Sequence, residues 1–304
     1  MAQPAPLPVV TCYRHPDRRA GVSCQRCDRP ICPSCMVQAS VGFHCPECTK
    51  QAAKNSPVVT LRSLDVQPIV TQVLIALNVV AFVAVVAAGG SFSTGGGPLE
   101  TKLALVGVQN YTFNPLTRVA MAIDGVAGGE WYRLVTGGFM HAGVIHIGMN
   151  MLVLWLVGSQ LERVLGHARY LALYFACLLA GSFAVMLASP GDVTVGASGA
   201  IFGLFGAMFA FQRDRGINPM QSGLGGLIIL NLVITFAIPG IAIAGHIGGL
   251  IGGFVTGWLL FQVERRYRQS WAGVALCLGL AALFAVGAIF AADYFVANGF
   301  HAVI

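Results

Sequence analysis

Gly196-Ala197-Ser198-Gly199-Ala200-Ile201-Phe202-Gly203 places one hydroxyl in a run of glycine and alanine, after the turn signal Pro190-Gly191-Asp192 and ahead of an apolar run. A lone serine inside an apolar helix ordinarily bonds back to a carbonyl one turn earlier. Here the turn puts Ser198 at the start of its helix, where backbone N–H groups lack intrahelical acceptors and the helix dipole favours negative charge. Gly199 and Gly203, four residues apart, give that helix a small-x3-small face along which a second helix can approach closely in lipid.

The matching face lies downstream in Gly245-His246-x2-Gly249-x3-Gly253, where His246, Gly249 and Gly253 share one side of a helix at i, i+3 and i+7. If the two glycine faces meet, an imidazole nitrogen reaches a serine hydroxyl, the geometry nucleophilic catalysis requires. The blander alternative is that the glycines only pack two helices and His246 bonds a carbonyl. A third polar cluster, His141-x4-His146-x3-Asn150, sets His146 and Asn150 one turn apart. No Cys, Asp or Glu joins these histidines to make a metal site, but an Asn amide and a His N–H beside a serine can donate to an oxyanion. Asp192 lies six residues before Ser198, but closeness in sequence is not orientation.

Composition sets these motifs in a bilayer. Of 304 residues, 56% are hydrophobic and 10% charged, against about 25% charged in a soluble domain. Apolar spans are expected near residues 69–88, 145–161, 170–187, 198–211, 224–238, 242–261 and 274–292, each to be compared with the about 20 residues needed to cross the hydrocarbon core. A long segment, 89–140, separates the first two. Arg163, Arg169, Arg213, Arg215, Arg265, Arg266 and Arg268 fall in every second loop, and positive residues mark the cytoplasmic side. The expected topology has the N-terminus inside and the C-terminus outside. The net charge of +6 is accounted for by topology, so no nucleic acid is expected.

Seven of nine cysteines fall between Cys12 and Cys48, and no apolar leader precedes them, so the first 65 residues are expected in the cytosol. They read Cys12-x2-His15, Cys24-x2-Cys27, Cys32-x2-Cys35 and Cys45-x2-Cys48, eight ligands in four pairs. Thiolate with imidazole in a reducing compartment suits two closed tetrahedral zinc sites. Interleaved pairing, first pair with third and second with fourth, resembles the cross-brace of B-box zinc fingers; sequential pairing satisfies the same spacings. His44 is spare, because Cys45 already completes a pair. Any protein partner of this module would be met at its surface, which the sequence does not interpret.

Taken together, Gly196-x-Ser198-Gly199, the glycine-flanked His246, His141-x4-His146-x3-Asn150, Arg133 in the 89–140 segment, and Gly158 with Glu162 make the chain resemble the rhomboid family of intramembrane serine proteases. The resemblance covers about residues 69–261. It implies Ser198 as nucleophile, His246 as general base and acid, and Asn150, His146 and the Ser198 amide as the oxyanion hole, with His141, Gly196, Gly199, Arg133 and Glu162 in support. No cofactor for catalysis is implied, and the partners would be transmembrane protein substrates in the lipid bilayer, in the plasma membrane. The family often has Trp-Arg where this chain has Tyr132-Arg133, and a tyrosine near Phe202, where an aromatic ring can pack on the histidine. The expected fold is an all-α polytopic membrane protein: a zinc-binding domain at 1–50, a linker at 51–67, a six-span core at 68–262, and a basic loop with a seventh span at 263–304. A non-proteolytic relative that binds membrane clients and a membrane-anchored zinc-finger adaptor are the competing readings.

Overall fold

The computed structural model describes residues 10–39, 42–55, 66–108, 110–114, 119–267 and 270–299. The chain folds as two compact units, 1–64 and 65–304.

The first unit has almost no apolar core of its own. Two minimal antiparallel ladders, β1 (Val22–Ser23) with β2 (Pro30–Ile31) and β3 (Val37–Gln38) with β4 (Phe43–His44), hold the cysteine loops. Helix α1 (Pro46–Asn55) follows. Its buried cluster is Ile31 with six cysteines, so the core and the ligand set are the same side chains. Helix α1 runs five residues into the stretch expected as linker, because Lys50-Gln51-Ala52-Ala53-Lys54 are all good helix formers. The remainder of that stretch up to residue 65 lies outside the described residues.

The second unit begins with α2 (Ile69–Ala87). The 89–140 segment carries a short α3 (Pro98–Leu103), an antiparallel hairpin of β5 (Asn110–Asn114) and β6 (Val119–Ile123), and a one-turn α4 (Arg133–Thr136). Then come α5 (Val144–Val153), a π-helical turn (Leu154–Gly158) and α6 (Ser159–Leu165), which together make one 22-residue span, Val144–Leu165. Four helices complete the chain's core: α7 (His167–Ala188), α8 (Ser198–Asp214), α9 (Leu224–Ala237) and α10 (Ile243–Arg266); α11 (Ser270–Ala297) follows.

All seven expected spans are helices, and five are long and apolar enough to cross a membrane. The protein is an integral multi-pass membrane protein. Helices α8 and α9, of 17 and 14 residues, fall short: at 1.5 Å per residue they rise about 26 and 21 Å, against a hydrocarbon core of about 30 Å. Leu283, Phe290 and Val80, more than 60% exposed on α11 and α2, present the outward apolar faces that a bilayer covers.

Helix α7 runs through the centre, with Tyr170, Leu173, Tyr174 and Cys177 fully buried. In lipid nothing hydrophobic drives one helix onto another, so close backbone approach must supply the packing. Glycine provides it on two faces of α10. Toward α8, a Cβ added at Gly249 would lie 2.1 Å from the Gly199 carbonyl oxygen, and one at Gly253 would lie 2.0 Å from that of Gly203. Toward α7, a Cβ at Gly248 would meet that of Ala184 at 2.0 Å.

One end of the bundle is tied by charge. Arg169 at the start of α7 pairs with Glu264 on α10, and Arg265 reaches Asp214 at the end of α8 at 2.6 Å. At the same end the fully buried Glu162 carboxylate accepts the Val70 and Thr71 amides at 2.8 Å each and the Thr71 hydroxyl at 2.7 Å. It thereby caps the first turn of α2 from a distance of 91 residues in sequence, and His167 Nδ1 sits 2.6 Å from the same Oε1 that accepts the Val70 amide.

Candidate active site and metal clusters

The opposite end of the bundle gathers the polar motifs. A positive-φ Gly196 (φ 126°) turns the chain into α8, whose first residue is Ser198. The strand-like stretch before it is held from both sides: Leu105 and Thr194 exchange backbone hydrogen bonds at 2.9 and 2.8 Å, and the Gly196 amide donates to the Gly137 carbonyl at 3.0 Å. The 89–140 segment therefore fixes where the serine stands. That segment is pinned in turn by Arg133, 2% exposed, which donates to the Glu130 carboxylate at 2.7 Å and to the Thr101 and Ala104 carbonyls at 2.9 and 2.8 Å. Burial alone would push the Glu130 carboxyl up, but Arg133, the Tyr132 hydroxyl and the Gly125 amide together hold it below the usual carboxylate range.

The glycine seam between α8 and α10 brings Ser198 Oγ to 2.7 Å from His246 Nε2. Phe202, one turn along α8, stacks on the imidazole with ring centroids 4.2 Å apart and planes 15° from parallel. The other imidazole nitrogen, Nδ1, lies 2.7 Å from the Thr235 hydroxyl on α9. Thr235 is a residue that the sequence does not single out. In sequence it looks like any threonine bonding back along an apolar helix, which it also does, to Asn231 at 2.8 Å; the signal that could have found it is the Asn231-x3-Thr235 pair, two polar residues on one face of a membrane helix. Asp192 is exposed in the turn before the serine.

His146 reaches the same place from α5, with Asn150 one turn further along that helix. The Ala142 amide donates to His146 Nδ1 at 3.3 Å, which leaves Nε2 to carry the proton. That Nε2 faces Gly196 closely, since a Cβ there would stand 2.9 Å from it and 3.5 Å from Ser198 Oγ. The Asn150 side chain is buried, and its Nδ2 has no hydrogen-bond partner among the described residues. His141 is fully buried behind His146, ring edge to face at 5.1 Å, with Nδ1 3.3 Å from the Phe139 carbonyl. Beside the serine, Gly138, Gly181 and Ser182 help to line a cavity of about 30 Å³, room for a water or two.

Comparison with known proteins gives the family. A family model described as the Rhomboid domain matches residues 128–263. Putative rhomboid protease YdcA of Bacillus subtilis is 38% identical over 148 residues, covering 47% of this chain and 74% of that protein. The chain belongs to the rhomboid family. Rhomboid protease GluP of the same organism is 37% identical over 191 residues, 62% of this chain and 34% of that protein. RHOMBOID-like protein 4 of Arabidopsis thaliana is 36% identical over 142 residues, 44% of this chain and 35% of its own length. The chain thus spans about a third of the length of the latter two relatives. The rhomboid match contains His141, His146, Asn150, Glu162, Ser198, Thr235 and His246, and stops short of the first unit and of α11.

In the first unit, two clusters of four ligand atoms form, each with all atoms within 4.8 Å of one another: Cys12, His15, Cys32 and Cys35, and Cys24, Cys27, Cys45 and Cys48. This is the interleaved pairing. His44 belongs to neither. The approaches fit a tetrahedral ion, for which bond lengths of about 2.3 Å to sulfur and about 2.05 Å to nitrogen imply edges of about 3.8 Å between sulfurs and about 3.6 Å from sulfur to nitrogen. His15 Nδ1 lies 3.9, 3.4 and 3.3 Å from the sulfurs of Cys12, Cys32 and Cys35, and Cys27 Sγ lies 3.8 Å from Cys45 Sγ. Both clusters could hold a metal ion. Around the second, the Cys45 amide donates to Cys24 Sγ at 3.2 Å and Arg29 Nε to Cys27 Sγ at 3.4 Å, bonds that favour thiolate. Arg29 also stacks over Tyr13 and pairs with Glu47 at 2.8 Å, so this arginine serves the fold.

Proposed function

We propose that this rhomboid is a serine endopeptidase that cleaves transmembrane segments of other membrane proteins. The observation that carries the reading is the 2.7 Å approach of Ser198 Oγ to His246 Nε2, in a site where every neighbouring polar group suits acyl transfer. His246 takes the Ser198 proton as Oγ attacks a peptide carbonyl, then returns it to the leaving amine; water repeats the sequence on the acyl-enzyme. The developing oxyanion is met by the Asn150 amide, the His146 Nε2–H and the Ser198 backbone N–H at the start of α8, donors already in place before the charge appears. Gly196, Gly199, His141 and Arg133 support that arrangement through the contacts described above, while Glu162 supports the fold from the far end of the bundle by capping α2. Helical carbonyls are shielded and hydrogen-bonded, so substrates should carry helix-weakening residues near the cut.

The depth of the site follows from α8. A helix rising about 26 Å from a surface anchored by Arg213 and Arg215 ends inside the far boundary of a core of about 30 Å, which sets Ser198 below the membrane surface. The arginine distribution supports a cytosolic first unit and 263–269 stretch, with the 89–140 segment and the C-terminus outside; the membrane proposed is the plasma membrane. Within the first unit, residues 1–50 are a B-box-like domain with two structural zinc ions, joined by the 51–67 stretch to a protease core at 68–262 and a seventh helix beyond it.

Detergent-purified full-length protein incubated with a transmembrane test substrate decides the matter. Ser198→Ala and His246→Ala should each abolish cleavage while leaving the thermal unfolding transition in place. The double variant should be scarcely worse than either single one, because the two groups act as a unit. Cleavage by Ser198→Ala at the wild-type rate would refute the assignment and favour a client-binding role.

A further inference from the structure

The helix α9 is turned outward along most of its length: Ile229, Leu230, Val233 and Phe236 are each more than half exposed. Thr235 is the exception in its second half, 1% exposed, and its Oγ1 touches His246 Nδ1 at 2.7 Å. The same oxygen lies 2.8 Å from the Asn231 carbonyl, one turn back. A threonine hydroxyl has one hydrogen and two acceptor lone pairs. A carbonyl can only accept, so the hydrogen goes to Asn231, and the contact with His246 can then be made only by an Nδ1–H donating to Thr235. An imidazole carrying its proton on Nδ1 presents a bare Nε2 to Ser198 Oγ, 2.7 Å away, which is the form able to accept the serine proton.

We infer that Thr235 is a positioning residue for the catalytic base: through Asn231 it holds His246 in the Nδ1–H tautomer and fixes the ring plane facing Ser198. This rests on the serine–histidine reading above. The Phe202 ring bears on the imidazole face and limits tilt, but a stacked apolar ring cannot choose between tautomers. Thr235 can, because the opposite tautomer would set an acceptor nitrogen against a hydroxyl already committed to Asn231, and would leave Nε2–H pointing at the nucleophile. The chain thereby meets the need for a third group behind the base with a neutral hydroxyl and a backbone carbonyl, both inside one helix, where a carboxylate would have to be buried in lipid.

The test uses the full-length protein in detergent and three variants. Thr235→Val removes the hydroxyl at nearly constant volume; Thr235→Ser keeps it and loses a methyl; Thr235→Cys loses the same methyl but offers only a weakly accepting thiol, and replaces Thr235→Val should the latter fail to unfold cooperatively, with Thr235→Ser as its matched control. Two rates are read, labelling of Ser198 by a small fluorophosphonate, which needs no docked transmembrane helix, and kcat with KM on a transmembrane test substrate. Thr235→Val should slow labelling and kcat by about ten- to a hundredfold, the range for leaving a buried polar group without its partner, with KM within about twofold. Thr235→Ser should stay within about threefold of wild type on every reading. Wild-type labelling by Thr235→Val, a loss confined to KM, or a Thr235→Ser variant as slow as Thr235→Val would each overturn the role assigned to Thr235. A wild-type protein that is neither labelled nor active would instead remove the serine–histidine reading itself.

Discussion

Gly249→Ala tests the way the site is assembled. The new methyl would stand 2.1 Å from the Gly199 carbonyl oxygen, a backbone atom in the first turn of α8 that cannot rotate away. Ordinary contact begins near 3.4 Å, so α8 and α10 must part by about 1 Å, and a displacement of that size at a reacting pair costs about a hundredfold in rate. Ser198 and His246 ride on the two helices being separated, adjacent to Gly199 and three residues from Gly249, so their 2.7 Å hydrogen bond stretches beyond useful range. Stability should suffer less than activity. Overpacking costs about 1–3 kcal/mol, while alanine gains about 1 kcal/mol over glycine in a helix interior, so a net loss of about 0–2 kcal/mol remains. Cleavage of a transmembrane test substrate and thermal unfolding in detergent give the two readings, with Gly279→Ala on α11, where an added Cβ meets nothing within 4 Å, as the control expected to keep full activity. Wild-type turnover by Gly249→Ala would show that the seam does not set the distance between serine and histidine.

Three further outcomes follow from the same structure. Glu162→Gln trades a buried carboxylate that accepts three bonds from the start of α2, one on Oε1 and two on Oε2, for an amide that keeps one acceptor oxygen and sets its NH2 against the donors of the other; unfolding in detergent should move down by about 2–4 kcal/mol, in the range for disrupting a buried charged partner, and an unchanged transition would count against the capping role. Glu130 is held below its usual carboxyl range in the fold, so its bond to Arg133 stabilises the 89–140 segment above the unfolded carboxyl's pKa and is lost as pH falls through the depressed folded value; Glu130→Gln should flatten that acid limb of the stability profile, and an identical limb in both proteins would refute it. Metal analysis should find two zinc ions per chain. A strong chelator should unfold the first unit, seen as new thiol reactivity, because its core is the ligand set, while substrate cleavage by the second unit, which contains every proposed catalytic group, persists; loss of cleavage on chelation would show that the units are not independent.

Much of this was legible along the chain because the physics is local. Glycine and charge-free runs announce membrane helices, four ligand pairs at x2 spacing announce metal clusters, and a serine after a turn announces a helix N-terminus. The glycines at i+3 and i+7 from His246 marked which face of α10 would be approached, though not by what. Several things depended on the third dimension. The interleaving of Cys12 and His15 with Cys32 and Cys35 is a choice between pairings of equal spacing, settled by which loops the two small ladders bring together. By contrast, the shortness of α8 and α9 was already legible in the expected spans 198–211 and 224–238; the structure only moves their ends, to Asp214 and Ala237. Glu162 reads as an ordinary carboxylate near the end of a span until α2 is folded against it. Thr235 sits 11 residues from His246, across a helix boundary, and its one sequence signal, the Asn231-x3-Thr235 spacing, does not say which neighbouring helix it meets. A hydrogen bond between side chains on different helices is fixed by crossing angle and rotamer, quantities that no one-dimensional pattern contains.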